Sequence, residues 1–593
     1  MLNTVEDTIS HHLAHAAART PDEKAFTTVD FSTDRDGVAD SLTWRQLEER
    51  VRTLAAVLRH SCSAGERVAV IGPQNMDYVV AFLAATCAGA IAVPLFPPAL
   101  PGHGEKLAAA LADADPVLAL TSPDSVQAAE KFCADQPGLR LRVTTEADLL
   151  AGWAARGEPT GGEIPHPGPE DCAYLQYTSG STRMPSGVEI THANVCANAR
   201  QALKAYDIRA GRNCTVGWLP LYHDMGLVVA IVLPVVGHVP SVLMDPLAFV
   251  QQPVRWLRLL SEHPGALTAA PNFAYDYCVR RVGEEDRAQL SLGSVAAMVN
   301  GSEPIAEQTL RRFQEAFAAA GAVPTAMRPS YGLAEATVFV SASPAGREPT
   351  VTCFDRDALA AGTARPTENT DAAAVTRLVG CGEPTDQEAA IVDPATRERL
   401  EDGRVGELWL RGPNIGRGYW GRPEQSEATF RAALHGDDPA DRAGQWLRTG
   451  DLGLRHEGHL YITGRIKDLV IIDGTNHYPQ DIEHTVENAH PAIRRHHTAA
   501  FSVLTDDGER LVVVAEHARD LAEPAGVLDE ATRAVRGAVS AHHAIAIHDF
   551  ILARPGTVPH TTSGKVARGA CRERYLQGAW SSDAQAQKES GNA

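Results

Sequence analysis

Between Ser41 and Pro98 the spacing of apolar residues changes rhythm repeatedly. Leu42 to His60 recurs at helical intervals, Arg67 to Ile71 is a short apolar run, Asn75 to Gly89 is helical again, and Ala90 to Phe96 predicts an extended segment. A helix between two buried strands is a βαβ unit. The alternation returns at Gly104 to Ala112 with Pro116 to Leu120, and at Ala266 to Ala269 with Phe273 to Arg281. Parallel sheet covered by helices accounts for all of these, and such sheets present ligands at the carboxyl ends of their strands.

After Ala345 the texture changes. Pro349 to Thr376 is rich in Ala, Thr and Asp without clear periodicity and reads as a mobile loop or a short inserted subdomain. Short strand-like runs follow at Ala390 to Val392, Gly406 to Arg411 and His459 to Thr463, separated by Gly and Pro turns. Past Arg465 the pattern predicts strands at Leu469 to Ile472, Ala499 to Val503, Glu509 to Ala515 and Ala544 to Leu552, with helices at Pro479 to Ala489 and Thr532 to Ala541. The expected fold class is therefore α/β. A large N-terminal unit over residues 1–466 combines parallel-rich sheets with a small β-rich subdomain and carries an insertion-like segment at 349–377. A small, mobile α+β unit spans 467–578, and the polar end, 579–593, is expected to be disordered.

A length of 593 residues exceeds what one core organises, and 44% hydrophobic residues supply ample core material. With 54 basic against 74 acidic residues the formal charge is -20, which argues against nucleic acid as a partner. The ten cysteines form no CxxC pair, so neither a zinc knuckle nor a disulfide framework is expected. The start, Met1-Leu2-Asn3-Thr4-Val5-Glu6-Asp7, lacks a basic stretch followed by an apolar one, so no secretory leader and a reduced, cytoplasmic setting are expected. The most apolar stretches, Val79 to Pro97 and Gly226 to Pro240, are broken by glycine and proline and read as buried helix and strand rather than as transmembrane segments.

The strongest local signal is Tyr177-Thr178-Ser179-Gly180-Ser181-Thr182, preceded by the extended run Cys172 to Gln176 and followed by Gly187. Hydroxyls and backbone N–H groups around a glycine turn can hold phosphate oxygens, although the lysine-bearing P-loop pattern is absent. Standing alone, the run reads equally as an ordinary Ser/Thr turn. It resembles the phosphate-binding core motif of the acyl- and aryl-adenylate-forming superfamily, and Arg183 and Ser186, where most members carry Gly and Lys, resemble the fatty acyl-AMP ligase branch.

Further matches follow in the same order along nearly the whole chain. They are Gly217 to Leu227, Phe249 to Leu257, Ala270 to Asp276, Asn300 to Pro304, Ser330 to Thr337, Trp446 to Gly453, Gly464 to Asp468, and Pro555 to Arg568 with Thr562-Ser563-Gly564-Lys565. The resemblance implies that Thr178, Ser179, Gly180, Ser181 and Thr182 hold the phosphates of ATP. It implies that Gly301, Ser302, Glu303, Pro304, Ser330, Tyr331 and Gly332 wall the adenine, that Asp451 and Arg465 take the ribose, and that Lys467 and Asp468 form a hinge. Lys565 is the implied catalytic lysine and His223 the implied site histidine. Trp218, Met225 and Phe273 are candidates for an acyl pocket, with core packing as the competing reading.

Chemistry agrees with those roles. ATP and a carboxylate repel, so the reaction needs cations and oriented donors where charge develops at the α-phosphate. A lysine on a Gly-flanked loop can supply that charge, and Asp451 can accept from both ribose hydroxyls. Glu335 is a candidate ligand for Mg²⁺, a hard cation that prefers oxygen donors.

The acid is expected to be a fatty acid on resemblance alone. The acceptor is expected to be the phosphopantetheine of an acyl carrier protein acting in trans, because no carrier motif follows Lys565 and the segment near Pro349 to Arg377 looks like the branch's insertion. Three other readings stay open: a fatty or aryl acyl-CoA synthetase, an amino-acid adenylation enzyme using Asp276 for the substrate amine, and a non-enzymatic interaction module.

Overall fold

The computed structural model describes residues 7–580 apart from 101–102, 137, 140, 158–166, 178–184, 370, 372–373, 438–443, 473–474, 506–507, 520–524 and 562–563. Two large sheets organise the N-terminal part. The nine-stranded sheet runs in the order Glu383–Pro384, Ser341–Ala342, Met327–Tyr331, Ala297–Asn300, Ala266–Ala270, Cys214–Gly217, Ser241–Met244, Lys24–Asp30, Val38–Thr43. From Met327–Tyr331 to Lys24–Asp30 every neighbour is parallel. The seven-stranded sheet runs Gly418–Tyr419, Gly187–Thr191, Cys172–Tyr177, Ile91–Leu95, Arg67–Ile71, Leu118–Leu120, Arg142–Thr144, parallel from Cys172–Tyr177 onward.

Local chemistry sets the helices that cover these sheets. Trp44–Ser61 begins at a capping box in which Thr43 accepts from the Gln46 N–H and Gln46 accepts from the Thr43 N–H. Met76–Cys87 is capped by Asn75 and buried on nearly every side, which explains why its sequence has no polar face. A third sheet, Glu388–Val392, Gly406–Arg411, Leu447–His456 and His459–Arg465, is antiparallel and ends at the turn Ile466–Asp468. Among the described residues no helix is long and apolar enough to cross a membrane. All ten cysteines are free thiols.

The C-terminal part is a mixed three-stranded sheet between two cores. Ile493–Thr505 pairs antiparallel with Gly508–His517, which pairs parallel with Ile547–Ala553. Ala500, Leu511, Val513 and Ala515 face the helices Pro479–Ala489 and Ala525–His543, while Ala499, Phe501, Val503, Val512 and Val514 face Cys571 and Trp580. That alternation is the period of two that a sheet buried on both sides requires.

Several boundaries differ from the sequence expectation. The strand expected at Ala499 to Val503 begins at Ile493; its polar start, Arg494 to His497, lies in an irregular register against Gly508–His517 and shows no apolar alternation. The helix expected from Thr532 starts at Ala525. The described residues of 349–377 include regular structure, as the subdomain reading expects: Val351–Asp355 pairs antiparallel with Val375–Val379 around the helix Arg356–Ala360, and Phe354 packs fully buried beside Tyr461 and Tyr478.

Candidate active site

Residues from the carboxyl ends of the parallel strands meet the last antiparallel sheet and the lysine loop. Tyr331, at the end of Met327–Tyr331, donates its hydroxyl to Asp451 Oδ2 at 2.7 Å, and Arg465 Nε donates to Asp451 Oδ1 at 2.9 Å. Asp451 thus has each oxygen held in place on a side chain that is only 5% exposed. The Asp451 carboxylate in turn holds the Arg465 guanidinium above its ordinary pKa.

The turn after Tyr331 explains its glycine. A Cβ on Gly332 would sit 1.6 Å from the Val338 carbonyl oxygen, so no other residue fits this close backbone approach. That turn carries Glu335, whose Oε1 accepts from the Tyr419 hydroxyl at 2.8 Å. Burial raises the Glu335 pKa, with the Tyr419 hydrogen bond acting against it.

The other implied adenine-site residues come from two adjacent strands. Ser302 follows Ala297–Asn300 at φ 72°, and its hydroxyl donates to Met225 Sδ at 3.7 Å. Pro304 accepts through its carbonyl from Asn272 Nδ2 at 2.8 Å, and Glu303 buries Oε1 without a hydrogen-bond partner. Ser330 donates to the Arg328 carbonyl at 3.1 Å and pairs with the Tyr206 hydroxyl at 3.0 Å. Gly301 approaches the Ser330 carbonyl so closely that an added Cβ would lie 3.0 Å from its oxygen.

His223 Nδ1 lies 2.6 Å from Asp224 Oδ1. Burial would raise the Asp224 pKa, but His223 and then Lys565 outweigh it and the carboxyl is held low. Lys565 reaches this region from the other unit. Its loop is a tight turn in which Thr561 N–H donates to the Lys565 carbonyl at 2.7 Å and Lys565 N–H donates to Thr561 Oγ1 at 3.2 Å. Gly564, at φ +83°, abuts Phe273, with an added Cβ 3.3 Å from the Phe273 ring. Burial lowers the Lys565 pKa, while Asp224, Glu303 and Asp451 act to raise it. Those three carboxylates come from three separate elements: Asp224 from the helix Asp224–Leu227, Glu303 from the segment after Ala297–Asn300, and Asp451 from within Leu447–His456.

The proposed phosphate residues Thr178, Ser179, Gly180, Ser181 and Thr182 lie outside the described residues, as does Arg183. The base of their loop is described. Tyr177 donates to Asp113 Oδ2 at 2.8 Å, and Arg422 donates to Asp113 Oδ1 at 2.8 Å, to Ser186 Oγ at 2.8 Å and to the Pro185 carbonyl at 3.1 Å. The implied hinge residues Lys467 and Asp468 form the 3₁₀ turn Ile466–Asp468, where burial lowers the Lys467 pKa and Asp468 faces Arg568 at 3.5 Å.

The acyl-pocket candidates separate. Trp218 lies flat on Phe249, ring centroids 3.9 Å apart, and is packed as a core side chain. Phe273 meets Trp218 edge-on at 6.2 Å and links that cluster to the lysine loop, whereas Met225 sits beside Ser302. Asp276, which the amino-acid reading required for a substrate amine, is corrected by its surroundings: Arg312, Thr309 and His496 take both its oxygens. Sequence reasoning missed Tyr419 and Arg422, because neither is close in sequence to the residue it serves, and it named Glu303 and Asp451 for the nucleotide without relating them to Lys565.

Comparison with known proteins places the chain in a family. The AMP-binding enzyme family matches residues 13–420, and the AMP domain of Disco-interacting protein 2-like proteins matches residues 467–585. The chain is 43% identical over 569 residues to the long-chain-fatty-acid--AMP ligase FadD26 of Mycobacterium tuberculosis (strain ATCC 25618 / H37Rv), covering 95% of this chain and 96% of that protein. It is 42% identical over 581 residues to the 4-hydroxyphenylalkanoate adenylyltransferase of the same strain, covering 96% and 92%. A structure from a study of fatty acyl-adenylate ligases of E. coli and L. pneumophila superposes with a TM-score of 0.84 at 31% identity, covering 97% of this chain and 98% of that one. With a family match across the large unit and relatives spanning almost the full length, the chain belongs to the AMP-binding, adenylate-forming enzymes, in their fatty acyl-AMP ligase branch.

Proposed function

We propose that the protein joins a long-chain fatty acid to AMP and passes the acyl group to the phosphopantetheine thiol of a separate carrier protein. The carboxylate oxygen attacks the α-phosphorus of ATP, the bond to the β-phosphate oxygen breaks, and pyrophosphate leaves. The carrier thiol then takes the acyl group and AMP leaves. The observation that carries this reading is the placement of the Lys565 loop, whose Gly564 abuts Phe273 and whose buried ammonium feels the charges of Asp224, Glu303 and Asp451. Burial destabilises the ammonium, and the three carboxylates keep it available. Substrate anions arriving beside the ammonium stabilise it further, so positive charge stands where negative charge develops.

In this reading Asp451, fixed by Tyr331 and Arg465, receives the ribose, and the Ser330 to Gly332 turn with Gly301 to Pro304 walls the base. Mg²⁺ fits at Glu335, where a buried carboxylate oriented by Tyr419 offers hard oxygen donors, and when bound it supplies charge neutralisation for the triphosphate. The insertion supports a carrier rather than CoA as acceptor. Arg356 lies within hydrogen-bonding distance of His543 Nδ1 at 3.2 Å, and His543 Nε2 pairs with Thr485 at 2.8 Å, tying the inserted hairpin to two helices of the small unit. That tie opposes the rotation a CoA channel would need.

A second acid class is favoured by the 42% identity to a 4-hydroxyphenylalkanoate adenylyltransferase. Pyrophosphate release with a panel of long-chain fatty acids and 4-hydroxyphenylalkanoates tests the substrate. A mass-spectrometric comparison of free CoA with a phosphopantetheinylated carrier tests the acceptor. Release with amino acids alone, or acyl-CoA formed with no acyl-carrier, overturns the respective half of the reading.

A further inference from the structure

Asp276 takes no part in the site described above, yet its carboxylate is among the most heavily engaged in the protein. Arg312 donates to Oδ1 through Nε at 3.0 Å and through Nη2 at 2.8 Å, and Nη2 reaches Oδ2 at 2.9 Å. Thr309 donates to Oδ2 at 2.8 Å. Those partners lie on the neighbouring helix Glu307–Phe317 of the same unit. The remaining partner, His496 Nε2 at 2.9 Å from Oδ2, comes from the small unit.

The helix Asn272–Arg281 therefore touches the small unit at two points one turn apart: Phe273 against Gly564 of the lysine loop, and Asp276 against His496. His496 is also joined to that loop. Its carbonyl lies 3.4 Å from His560 Nε2, and His560 bridges to Val566 across the turn that holds Lys565. His496 itself sits at φ 61°, a left-handed conformation that histidine, like asparagine and aspartate, adopts more readily than most residues, in the irregular stretch that breaks the strand register.

Building on the adenylation reading, we infer that the Asp276–His496 pair is a latch between the two units, and that His496 is a positioning residue which holds Lys565 over the adenylation site. The pair is charge-assisted when the imidazole is protonated. Facing that imidazole are Asp276 from one helix, Glu303 from the loop before the next, and Glu487 from Pro479–Ala489. His484 of that same helix, with Arg312 and Arg495, stands nearby, and Arg280 faces Asp276. His560 contributes the second imidazole at the loop. Burial works against the imidazolium, but Asp276, Glu487 and Glu303 outweigh it, so its pKa is raised. Burial also pushes the Glu487 carboxyl up to about 7. The latch is complete below the ordinary histidine pKa and is lost as pH rises through the raised one.

The test uses the full chain as wild type, His496→Asn, Asp276→Asn and the double variant. Asparagine tolerates the φ of His496, and His496→Asn leaves the Asp276–Arg312 contact intact. Adenylation, read as pyrophosphate release, is expected to fall about tenfold in kcat for His496→Asn, the scale of one charge-assisted hydrogen bond, with KM for ATP unchanged. Acyl transfer from supplied acyl-AMP to a phosphopantetheinylated carrier should be unchanged or faster. The double variant should lose no more than the worse single one, and the alkaline decline set by the latch should vanish in His496→Asn. Equal loss in both half-reactions, additive losses, or unchanged adenylation would overturn the latch. Spin-label distances between the units, measured without substrate across pH, judge it independently: wild type should close at low pH and His496→Asn should not, and identical distances refute it. A wild type that releases no pyrophosphate with any acid refutes the adenylation reading instead, and the label distances still decide the latch.

Discussion

Tyr419 donates its phenolic proton to Glu335 Oε1 at 2.8 Å, joining an edge strand of the seven-stranded sheet to the turn that closes the nine-stranded one. The bond fixes the orientation of a buried carboxylate. Tyr419→Phe removes it, and because a hydrogen bond to a charged group is worth about 1.5–3 kcal/mol, the Mg²⁺ concentration for half-maximal adenylation should rise about tenfold or more. Titration of pyrophosphate release against Mg²⁺ checks this. An unchanged requirement would separate Glu335 from the metal.

Lys565→Ala should lower adenylation about a hundredfold, roughly 3 kcal/mol of transition-state stabilisation, while leaving ATP affinity much less affected. Calorimetry with ATP and single-turnover acyl-AMP formation are the measurements. Parallel loss of both would assign Lys565 to nucleotide binding.

Apart from the His496 latch, two groups bound the pH range of adenylation in the free enzyme. Glu335 has a raised pKa, so activity that needs its carboxylate is lost on the acid side as pH falls through that raised value. Lys565 has a lowered pKa, so activity that needs its ammonium is lost on the alkaline side as pH rises through that lowered value. Bound substrate anions favour the ammonium, so the alkaline limb of kcat should lie above that of kcat/KM. Coincident limbs would mean that the lysine does not meet the substrate.

Arg422 holds Asp113, Ser186 and the Pro185 carbonyl together at the base of the segment carrying Thr178 to Thr182. Arg422→Ala frees that base without touching the acid site. KM for ATP should rise about tenfold with kcat reduced less, the scale of losing one or two charge-assisted bonds. Steady-state kinetics in ATP decides it, and a pure kcat effect would contradict the anchoring role.

Arg356→Ala should increase CoA thioester formation several-fold without reducing acyl-AMP formation. His543 has its pKa lowered to about 3 by burial and then by Arg356, so at neutral pH it is an uncharged acceptor for the guanidinium. Losing one such bond costs about 1 kcal/mol, enough to shift a two-state arrangement of the units several-fold. Mass spectrometry of acyl-CoA against acyl-AMP reads the outcome, and no gain in CoA use would release the insertion from this role.

What the chain reveals unaided is whatever repeats locally. The apolar run of Arg67–Ile71 and the helix Pro479–Ala489 have the limits that their periodicity predicts, because burial of one face or of a whole strand leaves a pattern every two or every 3.6 residues. The ordered motifs around Tyr331, Asp451 and Lys565 were legible for a related reason: close backbone approaches such as Gly332 against Val338 admit a single residue type and leave a recognisable string. The segment 349–377 was not legible as a hairpin, since its first strand, Val351–Asp355, buries only Phe354 and its second begins with two buried neighbours, Val375 and Thr376, so neither shows alternation.

Pairings between distant segments were decided by the tertiary structure alone. Asp276 carries the same carboxylate whether it meets a substrate amine or a histidine 220 positions later, and only packing showed that Arg312, Thr309 and His496 occupy it. That Glu303, Asp224 and Asp451 act together on the charge of one buried lysine was likewise invisible until the fold brought their elements to one region. A side chain's type states which partners it can accept; its charge state and its task depend on burial and on neighbours that loop closure brings from other elements, and neither leaves a periodic trace along the chain.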